Sequence, residues 1–214
     1  MSLAERLRAG VQALGLALEP GQQEKLLGYL ALLQKWNRVY NLTAVRDPAE
    51  MLTHHLLDSL AVVAPLRRQA PGGGRLLDVG SGGGLPGVVI AACCPQWRVD
   101  CVDTVGKKAA FVQQAAASLG LPNLRGVHAR AESVEGPYEV VASRAFASLA
   151  DFVAVSRQAL AEQGVWLAMK GRRPDEEIAA LPPGIDVFHV EPLRVPELAA
   201  ERCIVWMRVA GVDR

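Results

Sequence analysis

The stretch LLDVGSGGGLPG, Leu76 to Gly87, decides the fold. Arg75 to Val79 reads as a short buried strand, apolar residues resume from Pro86 to Cys93 as a helix, and glycines at 80, 82, 83 and 84 lie between them. Glycines in a strand-to-helix turn let the backbone bend tightly and approach a ligand where any Cβ would collide. No GK[ST] follows, which removes the lysine and hydroxyl that a P-loop needs for phosphate and magnesium. Gly82, Gly84 and Gly87 do fit GxGxxG, so a dinucleotide remains open. Two aspartates narrow the choice. Asp78 closes the first strand, where its carboxylate is expected to orient the loop and face a cationic ligand. Asp103 closes the second strand, at the edge where a ribose diol would be held. Either alone also suits a cap or turn, but with the glycines they fit a nucleoside cofactor without a pyrophosphate, such as S-adenosylmethionine.

Working outward, strands are expected at Trp97 to Val102, Leu124 to His128, Glu139 to Ser143 and Val165 to Met169. A helix from Lys107 to Leu119 closes at Gly120, and another spans Leu149 to Leu160. Repeated strand, loop and helix units imply an α/β fold with a mostly parallel sheet covered on both faces. Ile185 to Val190 and Arg202 to Val209 suit a terminal antiparallel hairpin, and PDEEIAALPPG between the last parallel strand and that hairpin suits a short helix. Upstream, three helical patterns occupy residues 1–70, the third starting at Pro48 behind Asp47 as N-cap and running through His54, Leu57 and Leu60 towards Val63. PGGGR then forms a joint. The expected organisation is a helical extension, 1–70, packed on a main domain, 71–214.

The 214 residues are 50% hydrophobic and 21% charged, the composition of a folded globule. Lys plus Arg number 23 and Asp plus Glu 22, so overall charge does not announce a nucleic-acid protein, although a local basic face is possible. No apolar run approaches the roughly 20 residues that cross a bilayer. The first twenty residues lack a signal-peptide pattern, which argues for the cytoplasm, and nothing distinctive points to self-association, which leaves a monomer. Cysteines 93, 94, 101 and 203 form no CxxC and read as reduced core residues. His54 and His55 lack the partners of a metal site, so no metal is expected; His55 and Asp58, one turn apart, suit a packing hydrogen bond between the N-terminal helices and the sheet.

These motifs together are those of a known family. WNRVYNLTAVRD (Trp36 to Asp47), HHLLDSL (His54 to Leu60), DVGSGGGLPG (Asp78 to Gly87), GKK (Gly106 to Lys108), RAE (Arg130 to Glu132), SRAF (Ser143 to Phe146) and KG (Lys170, Gly171) closely resemble the bacterial 16S ribosomal RNA guanine-N7 methyltransferase G family, also called glucose-inhibited division protein B. The resemblance spans nearly the whole chain. It implies a Rossmann-like class I methyltransferase with a seven-stranded sheet. It also implies methyl transfer from S-adenosyl-L-methionine to N7 of the decoding-region guanine conventionally numbered 527, with 16S rRNA or a small ribosomal subunit precursor as partner. By the same resemblance Gly80 and Leu85 match the cofactor loop, Ala131 and Glu132 the adenosine pocket, and Arg144 a cofactor-contacting arginine. Three consecutive glycines, 82 to 84, depart mildly from the family loop and remove no functional side chain.

Substrate contacts are expected from basic and aromatic positions. Trp36 and Tyr40 interleave with Asn37, Arg38, Asn41 and Arg46, a mixture that can stack on bases and contact phosphates, although Trp36 and Leu42 also suit core anchors. Lys107 begins a helix beside the expected ribose site. Lys170, Arg172 and Arg173 follow a strand at the cleft edge, where they can neutralise RNA phosphate. Guanine N7 already carries a lone pair and no proton, so positioning alone can suffice and no catalytic acid or base is assigned. The competing readings are an NAD-dependent oxidoreductase and an RNA-binding module with a vestigial cofactor pocket.

Overall fold

A computed structural model describes residues 1–211, so the last three residues of the expected main domain lie outside the described region. The N-terminal part forms α1 (Leu3–Ala13), α2 (Pro20–Tyr40), α3 (Pro48–Met51), a π-helical turn (Leu52–Leu57), α4 (Asp58–Leu60) and α5 (Val63–Gln69). Local chemistry sets these boundaries. Ser2 and Glu5 make a capping box on α1; Pro20 opens α2; Asn41 closes it in the left-handed region at φ 49°. Asp47 caps α3 by accepting from the amides of Ala49 and Glu50, as expected. The third helical pattern is interrupted by the π turn, which shifts the buried stripe and leaves all but one of its six residues buried.

The remainder alternates β1 (Gly74–Val79), α6 (Gly87–Cys93), β2 (Trp97–Asp103), α7 (Gly106–Ser118), β3 (Leu124–His128), β4 (Tyr138–Arg144), α8 (Leu149–Ser156), β5 (Leu160–Lys170), α9 (Asp175–Ala179), β6 (Ile185–Leu193) and β7 (Arg202–Val209). The seven strands lie in the order β3-β2-β1-β4-β5-β7-β6. All neighbours through β5 are parallel, and β7 runs antiparallel to both β5 and β6. The hairpin therefore folds with its second strand inside and β6 at the edge. α8 is shorter than the sequence suggests, because a single 3-10 turn at Arg157–Ala159 leads into β5.

The N-terminal helices are not peripheral. Leu7, Leu26, Leu33, Leu52 and Leu60 share one core with Leu76 of β1, Val88 of α6, Phe111 of α7 and Trp206 of β7. The opposite sheet face packs Leu77, Val141 and Trp166 against Leu149 and Phe152 of α8. The chain runs outward from β1 through β2 to β3 and then crosses back to β4 on the other side of β1, so the carboxyl ends of β1 and β4 flank the switch point where open α/β sheets hold ligands.

Candidate active site

The glycine loop leaves β1 through three left-handed residues, Gly80 (φ 65°), Gly82 (φ 58°) and Gly84 (φ 86°). The amides of Gly80 and Ser81 donate to the Val102 carbonyl at 2.9 and 3.1 Å, fixing the loop to β2. Asp103 completes the anchorage. Its Oδ2 accepts from the Gly82 amide at 3.0 Å and its Oδ1 from the Val105 amide at 2.8 Å, with Lys108 Nζ 3.7 Å away. One carboxylate thus ties the cofactor loop to the start of α7. From the other side Tyr29 Oη donates to the Gly83 carbonyl at 2.7 Å.

Two hollows meet over this loop. One, of about 450 Å³, is lined by Val102, Asp103, Ala131, Glu132 and Phe146; the other, of about 490 Å³, by Ser81, Gly82, Leu85, His55, Asp58 and Arg202. Gly80, Arg144 and Ala145 line both, so the two form one trough across the switch point. The first has the chemistry for an adenosine: apolar walls for a base and two carboxylates for hydroxyls. Backbone room is available too, since a Cβ on Gly82 would meet no atom within 4 Å and would project into open cleft.

The second hollow is cationic. Asp58 accepts from Arg144 Nη1 at 3.1 Å and from Arg202 Nε at 2.8 Å, and Arg144 Nη1 also donates to the His54 carbonyl at 3.0 Å. A single buried carboxylate therefore aligns one arginine from β4 and one from β7 around an opening that Lys170 also borders. His55 Nε2 pairs with Thr43 Oγ1 at 2.8 Å, and Thr43 is held by its amide donating to Asn37 Oδ1 at 2.9 Å. Burial, with the nearby Arg144 charge, pushes the His55 pKa down to about 4, so this ring is neutral at pH 7.

The sequence-derived positions separate accordingly. Gly80, Gly82, Leu85, Asp103, Ala131, Glu132 and Arg144 all line the trough. Asp78 does not: it is fully buried, Oδ2 accepting from the Gly87 amide at 2.8 Å, and it lines neither hollow. It shares strand parity with Leu76, which turns it under α6. Burial pushes its pKa up to about 7, and its Oδ1 has no hydrogen-bond partner among the described residues. Gly84 is likewise a packing residue, because a Cβ there would come 2.6 Å from Val88 Cγ2 and 2.9 Å from Val112 Cγ2. His55 bonds to Thr43 within the N-terminal helices, while Asp58 alone reaches the sheet.

Among the expected substrate contacts, Lys170 is bonded to Glu177 at 2.7 Å and to the Phe146 carbonyl at 3.2 Å, so it braces the loop after β5 while bordering the trough. Arg172 and Arg173 are exposed beside it, Arg173 pairing with Asp175. Arg38 and Arg46 share a shallow hollow with Gln34 and Asn37, separate from the trough. Lys107 is exposed beside Tyr40. Arg202 was not legible as a site residue: it opens a terminal strand, and its partner Asp58 is 144 positions away.

The model for the family described as rRNA small subunit methyltransferase G matches residues 22–205. The chain belongs to this family. It is 66% identical over 216 residues to the ribosomal RNA small subunit methyltransferase G of Acidovorax ebreus (strain TPSY), covering 97% of this chain and 96% of that one. Identity to the protein of the same name from Albidiferax ferrireducens is 63% over 221 residues, covering 98% and 99%. Among solved structures, an S-adenosylmethionine-dependent methyltransferase from Clostridium acetobutylicum ATCC 824 superposes with a TM-score of 0.58 at 10% identity, over 86% of this chain and 99% of that one, a likeness of fold. Family membership replaces the dinucleotide reading, and the geometry agrees. The second glycine of a dinucleotide fingerprint faces the pyrophosphate, whereas Gly84 faces Val88 and Val112.

Proposed function

We propose that this chain transfers the methyl group of S-adenosyl-L-methionine to N7 of a guanine in 16S rRNA, the guanine named above, acting as a monomer in the cytoplasm. The observation that carries the reading is the two-part trough of a family member, with a nucleoside-sized hollow continuing over Gly80 into a cationic one. Asp103 and Glu132 would hold the ribose side of the cofactor, Ala131 and Phe146 the base, and Gly80, Gly82 and Arg144 the end nearest the switch point. When bound, the cofactor supplies an electrophilic sulfonium methyl. Among the described residues, no helix is long and apolar enough to cross a membrane.

Guanine N7 needs no deprotonation before attack, so the protein's contribution is alignment of nucleophile, methyl carbon and sulfur, with water excluded. The trough suits that task. Asp58 holds Arg144 and Arg202 at fixed angles, and neutral His55 adds no competing positive charge beside an incoming cationic donor. Labelled cofactor and small-subunit RNA, followed by mapping of the modified nucleotide, test the reading. Label at one guanine N7 is expected. Label on pyrimidines, or none despite saturable cofactor binding, refutes it.

A further inference from the structure

One stripe of α2 connects the cofactor loop to the protein surface. Tyr29, Leu33, Trp36 and Tyr40 recur at helical spacing, and each has an identifiable contact. Tyr29 bonds to the Gly83 carbonyl, Leu33 Cδ1 lies 3.3 Å from where a Gly83 Cβ would stand, and Trp36 packs edge-on against Phe111 of α7 at 5.5 Å. The stripe ends at Tyr40, whose ring leans on Trp36 at 5.1 Å between centroids yet remains 42% exposed. Leu33, which lines the trough, and Tyr40 are two helical turns apart, ~10 Å, and the Lys107 that meets this ring adjoins Lys108, which also lines the trough, so the ring lies on the surface just beyond it.

Two features of this surface bear on what it can bind. Val39 and Val105, at the end of α2 and the start of α7, are with Tyr40 among the few large apolar residues left exposed. Lys107 Nζ lies over the Tyr40 ring, 5.9 Å from its centroid, and neither Lys107 nor Arg38 has an acidic partner among the described residues. A part-exposed ring under a long-stemmed, unpaired ammonium offers a π surface once that ammonium swings onto a phosphate, the combination that unpaired nucleic acid uses and a paired helix cannot.

The geometry points to Tyr40 as a stacking platform for an unpaired nucleotide of the RNA next to the methylated guanine, with Lys107 on that nucleotide's phosphate. This rests on the proposed RNA substrate and assigns it a single-stranded feature and a contact residue. Trp36 supplies a reporter, because Trp97, Trp166 and Trp206 are fully buried while Trp36 is only half-buried against Tyr40.

The test titrates the whole protein with an oligoribonucleotide carrying the target loop, once unpaired and once annealed to its complement, reading tryptophan emission. Methylation kinetics of Tyr40→Ala, Tyr40→Phe and Lys107→Gln run in parallel. Quenching by the unpaired strand and much less by the duplex is expected. KM for RNA should rise about tenfold in Tyr40→Ala and return towards wild type in Tyr40→Phe, the scale expected for one stacked base. The kcat at saturating RNA and the cofactor affinity should stay within twofold, and Lys107→Gln should raise KM less as salt increases. Equal quenching by duplex, a Tyr40→Ala KM within twofold of wild type, or a Tyr40→Phe variant no better than Tyr40→Ala would each overturn the platform. If the wild type binds and quenches with the unpaired strand yet methylates nothing, the platform stands and the proposed reaction falls.

Discussion

Two glycines in one loop separate ligand space from packing space. Gly82 and Gly84 are both left-handed, so alanine at either pays the same conformational penalty, roughly 1–2 kcal/mol. Beyond that they differ. The Gly82→Ala methyl enters open cleft with no atom within 4 Å, whereas the Gly84→Ala methyl is driven against Val88 and Val112, both fully buried and β-branched. Such side chains cannot swing aside without leaving their favoured rotamers, and overpacking of this kind adds roughly 1–3 kcal/mol. Gly84→Ala should therefore lose about 2–5 kcal/mol of stability and Gly82→Ala about 1–2 kcal/mol. Melting without ligand would register this as a drop of roughly 2–4 °C per kcal/mol for a chain of this size. Calorimetric titration with S-adenosylmethionine well below the melting range should give the opposite ranking, with affinity falling at least tenfold in Gly82→Ala and only a few-fold in folded Gly84→Ala. Wild-type cofactor affinity in Gly82→Ala, or equal melting of the two variants, would refute the division.

Asp103→Ala strands the Gly82 and Val105 amides, so it should weaken cofactor binding by roughly 1.5–3 kcal/mol and lower the melting temperature as well, while RNA binding without cofactor changes little; titration calorimetry and melting read both. Asp58→Ala leaves Arg144 and Arg202 unheld, and kcat is expected to fall more than cofactor affinity in steady-state methylation assays. Double replacement of Arg172 and Arg173 by Ala should weaken RNA binding, with a difference from wild type that shrinks as salt rises in filter-binding assays. Two buried groups act on pH stability with opposite sign. Asp78, raised to about 7, stays protonated in the folded state and so loses stability as pH rises from about 4 to 7, whereas His55, lowered to about 4, loses stability as pH falls from about 6.5 to 4. Chemical denaturation across pH 4–7 should show Asp78→Asn removing the first dependence and His55→Gln the second, leaving slopes of opposite sign.

Strand positions were readable because each buried strand carries an apolar run bounded by turn residues, and the parallel order follows from the intervening helices everywhere but between β3 and β4, which only a 3-10 turn at Ala131–Ser133 separates. The hairpin's inside-out order does not follow from the order of its strands along the chain. The sequence does carry a hint: Cys203 to Met207 is an unbroken apolar run, whereas Asp186, His189, Glu191 and Pro192 interrupt Ile185–Leu193, and the unbroken strand is the one that meets β5. Asp78 shows a different limit. Its position at a strand end suggested a ligand contact, yet the alternation along β1 already placed it with Leu76 on the face that α6 covers, so parity was the better guide than proximity to the glycines.

The cationic half of the trough was the least legible part, for a physical reason. Its members, Asp58, Arg144 and Arg202, come from a helix before the sheet, an inner strand and a terminal strand, and no periodicity relates them. The N-terminal helices could be read as an extension packed on a complete domain. Their packing shows that they share the larger core and supply the carboxylate that sets both arginines. The π turn makes this possible. It inserts into a helix that would otherwise continue its stripe unbroken, with His55 inside it turned to Thr43 and Asp58 just beyond it turned to the sheet. The cofactor loop alone would make a nucleoside-binding domain; the turn that aims Asp58 across the sheet edge builds the second hollow, the one that the proposed reaction assigns to the target base.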